Sequence, residues 1–383
     1  MEQSEMERIR QRVAELGLRF AGAHAERQRR QALDPADFAA LAETGFLRAS
    51  VPVEHGGAWT DDAHATRPLA EMLRGLARAD PSLALVAAMH PAVIVTCGWL
   101  NPDPPPAEHA ASWERQRRTV FESVLDGAWW GTITSEPGSG GDLARTKAIA
   151  ERDGGDRYHV TGPKHFGSGS GVTSFMMTTA LPNDGEGPEI FYLDVRGTPW
   201  DGSAGVTLVS EWDGQGMAAT QSHAMRFERY PALLVGHLGH LAHLLERRRG
   251  VIPCLFAGVI VGIVDAAMEA ARAQLAPKQQ DLRPYERVEW SHAEVEEWLI
   301  HQAFEGMLRD VEQGRSIDAL KGKTALADLA ESVTRRLCRI IGGGTFSRRS
   351  PFGISAEDVR ALGFLRPPWG LAFDALFQAS WER

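Results

Sequence analysis

Four stretches of this 383-residue chain gather side chains that could do chemistry. The first, Gly131-Thr132-Ile133-Thr134-Ser135-Glu136-Pro137-Gly138-Ser139-Gly140-Gly141-Asp142, sets hydroxyls and a carboxylate into a glycine-rich turn. The second, Lys164-His165-Phe166-Gly167-Ser168-Gly169-Ser170-Gly171, puts a flat aromatic ring beside two serines. The third runs from Trp212 to His223, and the fourth is Arg339-Ile340-Ile341-Gly342-Gly343-Gly344. Hydroxyls in such turns can hydrogen-bond the edge of a ligand, an aromatic can pack on its face, and glycine admits a ligand close to the backbone. His90, in Ala88-Met89-His90-Pro91, adds a proton donor or acceptor with a reference pKa of ~6.5; a core or helix-end histidine is the competing reading. His237, His240 and His243 share a three-residue spacing, but no carboxylate or cysteine stands at ligand spacing beside them, so they read as surface or interface residues and no metal is expected. Cys97, Cys254 and Cys338 form no CxxC pair, which speaks against a structural zinc and for a reducing compartment.

These residues need elements to hold them. From Glu2 to about Ala128 apolar residues return every three or four positions (Leu69, Met72, Leu73, Leu76), the period of helices. Between Gly131 and about Arg229 the texture changes to period-two, β-branched runs separated by Gly and Asp turns: Tyr158–Thr161, Phe175–Thr179 and Gly205–Val209. Short strands at that spacing form an antiparallel sandwich or barrel. The helical period then returns, with helices expected over about Val251–Leu275, Ala293–Glu312 and Ser316–Ile341 and a short one near the C-terminus, packed as a bundle. The chain is thus expected to divide into an N-terminal α-helical domain (1–128), a middle antiparallel β-barrel (129–236) and a C-terminal helical bundle (237–383). The formal net charge of −9 and pI near 5.8 exclude a nucleic-acid or anionic-membrane partner. The N-terminus lacks the apolar core of a signal peptide, so a soluble, cytoplasmic protein is expected.

In order and spacing the four stretches, with Pro52…Gly56-Gly57 ahead of them, resemble the acyl-CoA dehydrogenase superfamily over nearly the whole chain. The resemblance implies an α+β fold of N-terminal helices, antiparallel β-barrel and C-terminal four-helix bundle, assembled as a homotetramer or homodimer. It also implies a flavin between barrel and bundle. By position, Thr134 and Ser135 would meet the edge of the isoalloxazine ring and Ser168 would add a hydroxyl. Phe166, where the family has tryptophan, keeps the flat face but lacks the indole N–H. Gly342 and Gly343 would admit the nucleotide. The family's diphosphate-binding arginine from a neighbouring subunit is replaced near Lys278, and its glutamine before the glycines by Arg339; FAD, FMN or a transient reduced flavin are therefore all in question.

An acyl-CoA dehydrogenase also needs a carboxylate to take a proton from the thioester substrate. The family places it at one of two positions, which hold Arg366 and Ile252 here. Asp358 or Glu246 would serve only in a shifted register. A family serine that helps hold the acyl chain is Gly141. One branch of the superfamily dispenses with the base, receiving reduced flavin from a separate reductase and using oxygen to oxygenate its substrate. The Ser168–Gly171 run and His90 are similar to that branch, giving His90 and Arg366 as candidate catalytic residues, and His90 and Gly141 as candidate substrate contacts. A reduced-flavin monooxygenase or oxidase is therefore the leading expectation. An FAD-dependent acyl-CoA dehydrogenase with a relocated base, acting on an acyl thioester, is the second, and a non-catalytic flavin-fold binding protein the third.

Overall fold

A computed structural model describes residues 4–101, 105–246, 250–365 and 367–381. Arg366 lies outside them, as does the side chain of Glu246. The N-terminal part holds helices α1 (Glu5–Ala21), α2 (His24–Arg27), α3 (Pro35–Glu43), α4 (Asp62–Ala77), α5 (Pro81–Thr96) and α6 (Ala110–Leu125). Local chemistry sets their starts. Ser4, Asp34, Asp61 and Asp80 each accept a backbone N–H of the first turn, and Pro35 and Pro81 follow in the first turn, where a missing N–H costs nothing.

Seven strands follow: β1 (Trp130–Thr132), β2 (Ile149–Arg152), β3 (Arg157–Gly167), β4 (Phe175–Pro182), β5 (Glu189–Asp194), β6 (Val206–Ser210) and β7 (His223–Leu234). The pairing order β4-β2-β3-β7-β5 closes on itself through β4–β5, so the sheet is a barrel, with β1 added beside β4 and β6 beside β7. Most pairings are antiparallel as the alternating pattern implied, but β1–β4 and β2–β4 are parallel. The strand signal says which face is buried and nothing about direction, which depends here on long connections. The barrel has its own core, including Ile133, Val160, Met176, Phe191, Leu193 and Phe227.

The C-terminal part holds α7 (His240–Glu246), α8 (Val251–Leu275), α9 (Pro284–Glu312), α10 (Ile317–Ile341), α11 (Pro351–Gly363) and α12 (Trp369–Trp381). Helix α9 starts a turn or more before the expected Ala293, because the polar run after Pro284 carries little apolar signal but has proline in the first turn and a Glu286 carboxylate that accepts the Arg283 N–H at 2.8 Å. Helix α8 contains a window with mean hydropathy of 2.3, apolar enough to cross a membrane, yet 83% of that window is buried inside the protein. It is the central core helix. Gly258 and Gly262 let it touch α4, since a Cβ at either would stand 2.4 Å and 2.3 Å from the carbonyls of Ala70 and Arg74. N-terminal and C-terminal helices therefore bury one continuous apolar core, from Ile9 and Leu73 through Phe256 and Ile260 to Leu337, in which each fully buried aliphatic side chain contributes ~1.5–3 kcal/mol.

Candidate functional site

The chain past β1 runs along the barrel rim. Ile133 N–H donates to the Met177 carbonyl (2.8 Å), the Thr178 hydroxyl donates to the Ile133 carbonyl (2.8 Å), and His165 N–H donates to the Ser135 carbonyl (2.8 Å). Thr134 and Ser135 are thereby set beside the end of β3, which carries Phe166, with Ser168 in the turn that follows. A buried ion pair pins this junction. Lys164 Nζ, with no exposed surface, lies 2.5 Å from Glu136 Oε1 and 2.5 Å from the Thr179 carbonyl. Glu136 also accepts Lys147 N–H (2.6 Å), Ala148 N–H (3.2 Å) and the Thr146 hydroxyl. Burial works against its charge, but the Lys164 and Thr146 hydrogen bonds prevail and hold the carboxyl below the usual carboxylate range.

Phe166 is 56% exposed and adopts φ +58°. An aromatic residue in the left-handed region is strained, and such strain gathers at ligand sites. Its ring stands edge-on to Trp212 at 6.0 Å. Behind it, the buried Ser168 hydroxyl lies 2.8 Å from Ser222, and Ser222 lies 2.7 Å from Thr220. Met217 (φ +53°) and Gln221 (φ +48°), two further strained residues, bracket the turn Ala218–Thr220. The rim thus offers the exposed Phe166 face and the half-buried Ser135, with the Thr134 and Ser168 side chains buried beside them. An aromatic face with hydroxyls at its edge is what the plane and edge of an isoalloxazine ring would need. Four expected residues are brought together; Trp212, Thr220 and Ser222, in a stretch picked out by its sequence but given no role, join them.

Others are placed elsewhere. His90 is a core residue: it has no exposed surface, its Nδ1 accepts Trp130 N–H (3.1 Å), and its ring meets Trp129 edge-on at 5.5 Å. Burial pushes its pKa down to about 3, so the ring is neutral. Its Nε2 is buried without a hydrogen-bond partner among the described residues. Val86, one turn earlier on α5, abuts Gly169, and His90 lies one turn further along the same helix. Gly141 (φ +80°) lies against the α11–α12 connection, where a Cβ would stand 2.8 Å from Pro368; a serine there meets both a collision and a disfavoured backbone. Ile252 is half-buried hydrocarbon packed on the core. Asp358 is buried, and its Oδ1 accepts Met217 N–H at 2.6 Å.

Lys278, on the turn after α8, and Gly342 and Gly343, which end α10, lie at one end of the bundle. Arg339 sits there too, 3.7 Å from Glu289, which Arg336 approaches more closely at 3.0 Å. Among the described residues no hydrogen bond or ion pair joins these four to the barrel rim. Gly343 is exposed, and a Cβ there would meet nothing. Asp265, Glu297 and His301 cluster between α8 and α9, but Arg74 at 2.7 Å from Asp265 already supplies the cation.

No protein-family model matches the chain. It is 24% identical over 355 residues, 87% of its length and 79% of the relative's, to the amino sugar nitrososynthase RubN8 of Streptomyces rubradiris. Among solved structures it resembles KijD3 in complex with FMN and dTDP-3-amino-2,3,6-trideoxy-4-keto-3-methyl-D-glucose, at TM-score 0.75 and 21% identity, covering 100% of this chain and 96% of that one. It resembles butyryl-CoA dehydrogenase from Megasphaera elsdenii at TM-score 0.80 and 18% identity, covering 99% of each.

Proposed function

Given its acyl-CoA dehydrogenase-like flavoprotein fold, we propose that this chain is a flavin-dependent oxidoreductase that oxygenates a small organic substrate with reduced flavin and oxygen. One observation carries the reading: among the described residues, the buried carboxylates of Glu136 and Asp358 beside the barrel rim are both engaged by the protein itself. Glu136 is spent on Lys164 and two backbone N–H groups, and Asp358 on Met217 N–H. Glu136 is thus held as a structural anion, Asp358 is turned to the Met217 N–H, and Ile252 offers only hydrocarbon. Closure of the Gly141 position by Pro368 points the same way.

In this reading Thr134, Ser135 and Ser168 hydrogen-bond the ring edge, and Phe166 packs its face with Trp212 behind. The flavin, once reduced, supplies the electrons with which dioxygen is activated for transfer of one oxygen atom to the substrate. The protein's own task is to orient that ring and keep water from it. Lys278, Arg339, Gly342 and Gly343 serve the phosphate end of the cofactor, across a subunit boundary. The boundary is supported by exposed apolar stripes on α9 (Tyr285, Val288, Val295, Trp298) and α12 (Phe373, Phe377, Trp381), which suit a homo-oligomer. A separate flavin reductase supplies the reduced cofactor. Similarity to RubN8 and KijD3 makes the amine of an amino sugar nucleotide the first substrate to test, with FMN favoured over FAD.

The test is to supply the purified chain with FMN, NADH, a flavin reductase and a dTDP-amino sugar, and to follow oxygen uptake and product mass. Oxygen incorporation into the sugar, with no bleaching of protein-bound flavin by butyryl-CoA under anaerobic conditions, is the expected result. Bleaching by an acyl-CoA would overturn it in favour of dehydrogenation.

A further inference from the structure

Asp358 stands out among the buried polar groups. It is 4% exposed, on the inner face of α11. A carboxyl in that setting is costly: burial, with Asp80 and Glu357 adding repulsion, pushes its pKa up to about 7 against the favourable Met217 N–H bond. A helix face that only needed filling would carry an apolar side chain.

The group it holds explains the expense. Met217 is in a left-handed conformation, and its peptide is gripped from both sides. Its N–H goes to Asp358, and its carbonyl accepts the Trp212 indole N–H (2.9 Å) and the Thr220 hydroxyl (2.8 Å). Thr220 leads through Ser222 to Ser168. The same helix holds the segment at two neighbouring points. Gly216 lies so flat on α11 that a Cβ would stand 2.2 Å from the Glu357 carbonyl, and Arg360 reaches the Gln215 side chain at 3.2 Å.

We infer that Asp358 is a positioning residue: from α11 it fixes the segment 212–222, and through that segment the Ser168–Ser222–Thr220 hydroxyl row and the Trp212 ring behind Phe166. It acts as an acceptor aimed at one N–H. The inference rests on the flavin reading for its consequence in binding, but the contact itself exists in the protein without cofactor.

The experiment therefore has two readouts. Backbone hydrogen exchange over 215–222 is measured on the flavin-free protein for wild type, Asp358→Ala and Asp358→Asn, and FMN affinity is measured on the same three. Asp358→Ala is expected to speed exchange at these amides at least tenfold and to weaken FMN binding by roughly tenfold or more. Asp358→Asn keeps an acceptor oxygen and is expected to stay within about threefold of wild type in both. If alanine prevents folding, Asp358→Leu, which keeps the volume and removes the acceptor, takes its place. Unchanged exchange without the acceptor, or equal effects of Asn and of the acceptor-free variant, would overturn the inference. Exchange that follows the expected order while wild type itself binds no FMN would uphold the positioning role and sink the flavin reading instead.

Discussion

Separating Glu136 from Lys164 gives the sharpest check on how the rim is held. Both side chains are almost wholly buried, at 2% and 0% exposed, so water cannot replace a lost partner. Breaking a buried pair from one side costs ~3–5 kcal/mol, and the surroundings say which side costs more. In Lys164→Met the carboxylate keeps two backbone N–H donors and the Thr146 hydroxyl, placing the loss near ~3 kcal/mol. In Glu136→Gln the ammonium keeps the Thr179 carbonyl and Thr146 but loses its counter-charge, and the single amide oxygen cannot accept from every donor, so the loss lies near ~5 kcal/mol. The double variant removes both charges and should cost less than the sum by about 2 kcal/mol or more. Urea unfolding of the four proteins, followed by tryptophan fluorescence, reads all three quantities. Additive losses, or single losses under about 1 kcal/mol, would refute the claim that this pair is dry and coupled. The pH dependence has a definite sign. Because the Glu136 carboxyl is held below its usual value, its stabilising contribution is present above the unfolded pKa of ~4.3 and is lost as pH falls.

Three other outcomes are expected. Phe166→Ala should weaken flavin binding by ~1–3 kcal/mol through lost ring contact, readable by fluorescence titration; unchanged affinity would remove Phe166 from the site. His90, neutral in the fold with a pKa near 3 against ~6.5 unfolded, contributes stability present above pH ~6.5 and lost by about 1.4 kcal/mol per pH unit below it; His90→Asn should flatten that part of the pH–stability curve, and an unaltered slope would show that His90 is hydrated. Trp298→Glu, on the exposed α9 stripe, should shift the mass seen in sedimentation toward monomer, while a monomeric wild type would disprove the proposed subunit boundary.

The alternation in Tyr158–Thr161 marked β3, and the apolar period marked α8 from Val251 to Leu275, because burial of one face leaves a local trace in sequence; the run Phe175–Thr179 marked β4 although both of its faces are buried. Thr134, Ser135, Phe166 and Ser168 were grouped through resemblance to the family's motifs, since nothing local in the sequence says that the stretch 131–142 and the end of β3 meet. For His90 the sequence left a site role and a core role both open, because a histidine on an apolar helix carries no sign of what surrounds it. The arrival of Trp129 and Trp130 from another element is what buries it. Asp358 was weighed as a base in a shifted register and not as an acceptor for Met217, since 141 positions separate the two. The strand directions and the Gly141–Pro368 contact are likewise products of long-range packing.

The interleaving of α4 with α8 has a consequence for how the polypeptide matures. The barrel's core draws only on the middle of the chain, so it can condense as soon as β7 has left the ribosome. The early helices cannot finish then, because Gly258 and Gly262, against which Ala70 and Arg74 must settle, have yet to be made. Until α8 emerges, the apolar sides of α4 and α5 are without their final cover. Slowing synthesis between residues 240 and 270 should therefore raise aggregation and chaperone dependence more than an equal pause within the strands.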